Sequence, residues 1–196
     1  AFCDWSSDVC SSDLDAMDNY DLVPSGLIKL IKQGFNAGVD HAGMDIGQPT
    51  SFFVGCALNL NPNRIEDEIR NLRRKLDAGA DFVLTQPTYN PSDALRNMDA
   101  INKAMAGSPV PILVGILPLA SARHAAYLHH EVPGILVPDE IRRRMESAGE
   151  GGARTGMEIA IELIRTLRPA IQGVYLMPAF SRYDIAAEII ETIKSE

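Results

Sequence analysis

Four apolar runs punctuate the chain: SFFVGCAL (51–58), DFVLTQP (81–87), VPILVGILP (110–118) and GVYLMPAF (173–180). Each is nearly continuous in hydrophobic residues rather than alternating, the pattern of a parallel strand covered on its outer face. The segments between them follow a different period. From about Arg64 to Ala78, Ile65, Ile69, Leu72 and Leu76 recur at i, i+4, i+7 and i+11, one apolar face of a helix. Gly79 stands where a left-handed cap residue ends such a helix. Helices are predicted likewise from Ser92 to about Met105, through Arg123 to His129, and over GMEIAIELIRTLR (156–168). PSGLIKLIKQGFNAG (24–38) reads as a leading helix with no strand before it.

The first three strand starts lie about thirty residues apart, the size of a βα repeat. Repeated units of this kind suggest a barrel rather than a sandwich. A doubly wound sheet is the alternative, but no G-x-G-x-x-G follows any strand. AGEGGARTG (148–156) is glycine-rich ahead of a helix, yet its spacing fits no phosphate-binding motif and it reads as a flexible loop. A complete barrel has eight strands in roughly 250 residues. Four strands therefore imply about the C-terminal half of an α/β, (β/α)8 TIM barrel.

The opening segment obeys neither period. Residues 1–14 hold Cys3, Cys10 and the only tryptophan, Trp5, and Ser-Ser-Asp occurs there twice. Without a basic start or an apolar stretch it is no signal peptide. DWSSDVCSSDL (4–14) is similar to the translation of a common sequencing-adapter oligonucleotide. Residues 1–14 are accordingly expected to be foreign, and 15–196 to form a truncated barrel domain.

Composition narrows the class. The chain is 46% hydrophobic and 22% charged, with a formal net charge of −8, an ordinary globular balance. Its acidity and lack of a basic stripe argue against nucleic acid as a partner. No apolar run approaches the about 20 residues that span a bilayer, so no membrane association is expected. Cys56, alone inside an apolar run, reads as a buried structural thiol, and a reducing cytoplasm suits it.

Barrel enzymes carry their sites at the C-terminal ends of the strands. That draws attention to Ala57 to Asn63, to Thr85, Gln86 and Pro87, to Gly115 to Ser121, and to Pro178 to Arg182. Gln86 offers a neutral amide suited to the edge of a heterocycle, and as an alternative a simple loop cap. Arg182 suits a carboxylate or phosphate, or is an exposed charge. In the 64–78 helix, Glu68, Asn71 and Lys75 share one side with Arg74 adjacent. They could grip a nucleotide's phosphates and hydroxyls, or form a solvated face with Glu68 paired to lysine or arginine. His124, His129 and His130 lack the i, i+4 spacing of a helical zinc site, so no metal is expected. His129 and His130 read as the end of a helix.

The stretches NLRRKLDAGADFVLTQPTYNP, VPILVGILPLAS, EVPGILVPDEIRRRM and GVYLMPAFSRYD together resemble the C-terminal half of methylenetetrahydrofolate reductases. DLVPSGLIKLIKQGFNAG with FVGCALNLNP looks most like the reductase part of bifunctional homocysteine S-methyltransferase/methylenetetrahydrofolate reductases. The resemblance covers about residues 19 to 194. It implies an eight-stranded barrel with non-covalent FAD, reduced by NAD(P)H, that passes a hydride to 5,10-methylenetetrahydrofolate in a ping-pong scheme. By position it implies that Ala57, Asn61, Glu68, Asn71, Arg74 and Lys75 hold FAD. Gln86 would contact the pterin or nicotinamide, His124 falls at a folate-binding position, and Arg182 would sit at the folate end.

The chain departs from the pattern in places. Ala57 stands where relatives can have tyrosine, Asn61 where histidine is frequent, His124 where glutamine is common, and Leu128 where some carry an aromatic. The family's general acid lies on an upstream strand, so these residues alone are expected to be inactive. The parent enzyme is expected to be a homo-oligomer. A rival is a non-catalytic half-barrel working by association. An aldolase-like lyase would want a strand-end lysine, and none is present.

Overall fold

The computed structural model describes residues 2–3, 22–105 and 110–195. Within them five strands lie side by side in chain order: β1 (Phe2–Cys3), β2 (Gly55–Leu58), β3 (Phe82–Pro87), β4 (Ile112–Ile116) and β5 (Gly173–Leu176). Every neighbouring pair is parallel, with Cys56 beside Val83, Leu84 beside Leu113 and Val114 beside Val174. Strict sequential order is the arc of a barrel; a doubly wound sheet reverses direction at a switch point. The four predicted strands are all present. The fifth, at Phe2–Cys3, falls in the segment expected to be foreign. Most of that segment, 4–14, lies outside the described residues.

Helices cover the outer face of the arc. Ile65–Asp77 and Pro91–Ala104 follow β2 and β3, bracketed by Gly79 at φ +107 and by Asn90, whose side chain accepts from the Asp93 amide. Leu72, Met98, Ile101, Met145, Ile159 and Leu167 meet Val83, Ile112, Val114 and Ile116 in one core, each at most 2% exposed. The leading helix begins at Pro24 as expected but does not run regularly. It tightens and loosens through Pro24–Lys29, a π-turn at Leu30–Gly34 and a 3-10 turn at Phe35–Ala37.

The connection from β4 to β5 holds three helices, Ala122–Glu131, Asp139–Ala148 and Gly152–Leu167. The glycine-rich stretch 148–156 is not the flexible loop its composition suggests. It forms a 3-10 turn at Gly149–Gly151 and the first turns of the Gly152–Leu167 helix. The reason is steric. A Cβ at Gly156 would sit 1.8 Å from the Leu119 carbonyl oxygen, and one at Gly152 would sit 3.2 Å from that of Ala120. Glycines one helical turn apart thus let the helix lie against the backbone that leaves β4. A helix at Tyr183–Lys194 follows β5.

Candidate functional site at the strand ends

The Ile65–Asp77 helix is fastened to the end of β2 by two charged side chains. The Lys75 ammonium, only 7% exposed, donates to the Ala57 carbonyl at 3.0 Å. The Asn59 amide donates to Glu68 Oε1 at 2.8 Å. These contacts displace the reading of a solvated helix face, because the nearby backbone groups of the strand end need partners once buried. Asn71 and Arg74 are exposed, and with Lys75, Val23, Pro24 and Ser25 they line a hollow of about 240 Å3. The four helix residues singled out in the sequence therefore differ in burial: Glu68 and Lys75 are tied to the strand end, and Asn71 and Arg74 stand exposed beside Lys75. Half-buried Ala57 contributes its carbonyl. Asn61 is held in place, its amide donating to Asn59 Oδ1 at 2.8 Å and its side chain to Thr88 Oγ1 at 3.4 Å.

A bulge presents Gln86. The β3–β4 register shifts between Leu84 and Pro87. Within the shift the Gly115 amide donates to the Thr85 hydroxyl oxygen at 3.0 Å, which itself donates to the Gln86 carbonyl at 2.9 Å. Such interruptions of a ladder re-aim a side chain near a site. Gln86 is 9% exposed, and its Oε1 has no hydrogen-bond partner among the described residues. The segment after the Ala122–Glu131 helix passes directly beside it. Gly134, at φ +79, would place a Cβ 2.4 Å from Gln86 Oε1 and 3.1 Å from Asn59 Nδ2. A glycine is required there both by its backbone and by the amide it leaves room for.

The same helix therefore spans the mouth of the arc. It starts at Ser121, beyond β4, where the Ser121 side chain caps it by accepting from the His124 amide at 3.1 Å. It ends at Glu131, and the segment that follows brings Gly134 beside the β2 and β3 ends. His124 Nδ1 accepts from the Ala120 amide at 3.1 Å, and burial lowers the imidazole pKa below its ordinary value. Its ring meets Phe180 edge-on, with centroids 5.2 Å apart. His129 and His130 do close the helix, and His129 Nδ1 accepts from the Val137 amide at 3.3 Å.

Arg182 follows Phe180 but forms a fork on Asp184 instead of reaching inward. The guanidinium holds the Asp184 carboxyl at a pKa of about 2. No hydrogen bond among the described residues joins Arg182 to Gln86 or His124. Asn59, Thr85 and Phe180, within strand-end segments that the sequence marked without giving them a role, belong to this mouth, as does Gly134, which was not marked. Only Gly134, between Pro133 and an apolar run, carried a turn signal. Among the described residues no group of three or more His, Cys, Asp or Glu is placed to hold a metal, and no helix is long and apolar enough to cross a membrane.

Comparison with known proteins accords with this geometry. Residues 17–194 match the family model for methylenetetrahydrofolate reductase. Methylenetetrahydrofolate reductase 1 of Schizosaccharomyces pombe is 28% identical over 106 residues, which are 53% of this chain and 17% of that protein. Methylenetetrahydrofolate reductase 2 of Saccharomyces cerevisiae is 30% identical over 122 residues, 61% of this chain and 18% of that protein. The chain thus matches less than a fifth of the length of these relatives. A solved protein of Clostridium thermocellum, described as binding two copies of 5-methyl-5,6,7,8-tetrahydrofolic acid, shares the fold at a TM-score of 0.56 and 17% identity. That alignment covers 71% of this chain and 51% of the other. The chain belongs to the methylenetetrahydrofolate reductase family.

Proposed function

We propose that the chain is the C-terminal part of a flavin-dependent reductase that converts 5,10-methylenetetrahydrofolate to 5-methyltetrahydrofolate with NAD(P)H. The observation that carries the reading is Gln86. A buried amide oxygen without a partner is costly, and a ligand N–H beside it relieves that cost. A pterin ring and a nicotinamide carboxamide both supply such a donor, so one residue can serve two substrates in turn.

The exposed residues Asn71 and Arg74 of the Ile65–Asp77 helix fit FAD. Arg74 offers a forked cation for a diphosphate, and Asn71 and Ser25 offer neutral hydrogen-bonding groups beside it in the same hollow. Lys75 and Glu68 contribute by fixing the helix against Ala57 and Asn59, and Asn61 stiffens the same strand end. When bound, the flavin supplies hydride transfer between the nicotinamide and the folate. Residues 1–14, which include the short β1, are proposed as foreign; the four strands β2 to β5 then leave the proton donor to a strand outside residues 15–196, and the parent enzyme is proposed as longer, cytoplasmic and homo-oligomeric.

The test is FAD titration of the full-length protein from the source gene, followed by anaerobic reduction with NADH and NADPH. Arg74→Gln is expected to weaken FAD binding about tenfold or more, the scale of a lost charge-assisted hydrogen bond. Unchanged affinity in that variant would overturn the assignment of this helix. Turnover of methylenetetrahydrofolate by the 196 residues alone would overturn the proposed division of labour.

A further inference from the structure

Asn59 and Gln86 lie side by side at the strand ends, one step beyond the Leu58–Thr85 pair of β2 and β3, and so share a face of the sheet. The loop that carries Asn59 is pinned at three successive residues. The Asn59 amide donates to Glu68 Oε1 at 2.8 Å, the Leu60 carbonyl accepts from Asn97 Nδ2 at 2.8 Å, and the Asn61 amide donates to Asn59 Oδ1 at 2.8 Å. With its oxygen committed to that turn, the Asn59 side chain has Nδ2 left to offer. This donor and Gln86 Oε1 both lie within 3.1 Å of one point, the position that a Cβ on Gly134 would take. Gly134 keeps that point clear, so a fixed donor stands next to a buried acceptor that lacks a partner among the described residues.

A lone acceptor asks only for an N–H. An acceptor with a donor beside it asks for an N–H with a carbonyl beside it, and the lactam edge of a pterin and the carboxamide of a nicotinamide both carry that pair. We infer that Asn59 is a specificity-determining residue of the strand-end site, its Nδ2 donating to the carbonyl oxygen of the ligand whose N–H meets Gln86 Oε1. The inference rests on the reduction proposed above and adds a second contact to it. It also accounts for the pinning of the loop. A donor held through Glu68, Asn97 and Asn61 loses little freedom when a ligand arrives, and that freedom is part of what binding costs.

The experiment uses the full-length enzyme and the variants Asn59→Asp and Asn59→Ser. Both keep an oxygen for the Asn61 amide and both lose the Nδ2 donor, Ser without adding a charge. Each is expected to weaken 5-methyltetrahydrofolate binding about fivefold, the scale of one neutral hydrogen bond. The KM for NAD(P)H with a quinone acceptor should rise by a similar factor, while kcat and FAD affinity hold. Where the Asp charge lowers Tm, the Ser variant decides. The reduced 3-acetylpyridine analogue of the nucleotide keeps the carbonyl and lacks the N–H. Its KM should rise as much in the Asn59 variants and should not respond to Gln86→Leu. If Asn59 only ties the loop, both variants preserve the turn and bind as wild type does, which overturns the inference. An analogue indifferent to the Asn59 variants overturns it too, as does a loss of FAD binding equal to the loss of folate binding. These outcomes leave the reductase reading intact. A wild-type enzyme that oxidises NAD(P)H with a quinone but does not bind the folate overturns the reading and the inference together.

Discussion

The Tyr175 hydroxyl on β5 donates to the Thr85 carbonyl on β3 at 2.5 Å, passing over the intervening strand β4. The crossing is possible because position 115 has no side chain. A Cβ on Gly115 would lie 2.7 Å from that carbonyl oxygen and 2.9 Å from the hydroxyl. The bond also serves the site. Thr85 lies in the bulge that presents Gln86, so Tyr175 holds the bulge from two strands away.

Tyr175→Phe is expected to cost about 1 kcal/mol of stability, the usual net value of a hydrogen bond whose acceptor remains. Gly115→Ala should cost more, about 1–3 kcal/mol, because the added methyl meets backbone rather than a flexible side-chain end. In the double variant the costs should not add, since the methyl already displaces the hydroxyl. Urea unfolding of the four proteins measures this cycle. Additive losses would show that the crossing does not depend on Gly115.

Gly156→Ala tests why a glycine-rich segment folds as a helix. The substitution improves helix propensity by about 1 kcal/mol in the abstract. Here its Cβ would fall 1.8 Å from the Leu119 carbonyl oxygen, so the helix must move off the backbone that leaves β4. Net destabilisation is expected, on the order of 1–3 kcal/mol. Gly151→Ala, with nothing within 4 Å of the added methyl, is the control and should be close to neutral. A stabilised Gly156→Ala would contradict the packing described.

These cases mark what could be read from the chain. Strand positions were legible because Val83, Val114 and Ile116 belong to uninterrupted apolar runs, and the helix over 65–77 because its apolar residues keep one period. His124 was singled out only through the family resemblance, whereas Gln86 was legible as a residue at a strand end. The split of Glu68 and Lys75 from Asn71 and Arg74 was not, since it depends on which backbone groups of β2 lie beneath the helix. Nor was the course of the mouth helix, whose following segment brings Gly134 against Gln86, or that of the Gly152–Leu167 helix, set by Gly152 and Gly156 against 119–121, contacts between residues distant in sequence. Composition alone presents those glycines as looseness, whereas they mark close approach.

At the opposite side of β3, Lys32 and Asp81 tie the leading helix to the sheet. The ammonium donates to both carboxylate oxygens at 2.9 and 2.8 Å, and the Val54 amide donates to Asp81 Oδ2 at 2.6 Å. Burial alone would raise the Asp81 pKa, but these donors outweigh it and hold the carboxyl below its ordinary 3.8. A carboxyl with a depressed folded pKa stabilises the fold above its unfolded pKa, and the contribution is lost as pH falls through the folded value. Asp81→Asn should therefore cost about 2 kcal/mol at pH 7 and progressively less as pH falls from 3.8 through the lower folded pKa. An equal loss across that range, by urea unfolding, would count against the ionic tie.

His124 offers the opposite titration. Burial lowers its pKa below 6.5, and its Nδ1 must stay unprotonated to accept from the Ala120 amide. The unfolded chain binds the proton more readily, so the contribution of His124 to stability is present above pH 6.5 and declines as pH falls below it. An NMR titration should give a midpoint below 6.5, with the neutral ring carrying its proton on Nε2. His124→Asn keeps an acceptor near the Nδ1 position and should largely preserve the turn. His124→Leu leaves the Ala120 amide unpaired and should cost about 1–3 kcal/mol. A midpoint at or above 6.5, or a Leu variant as stable as the Asn variant, would remove His124 from this role.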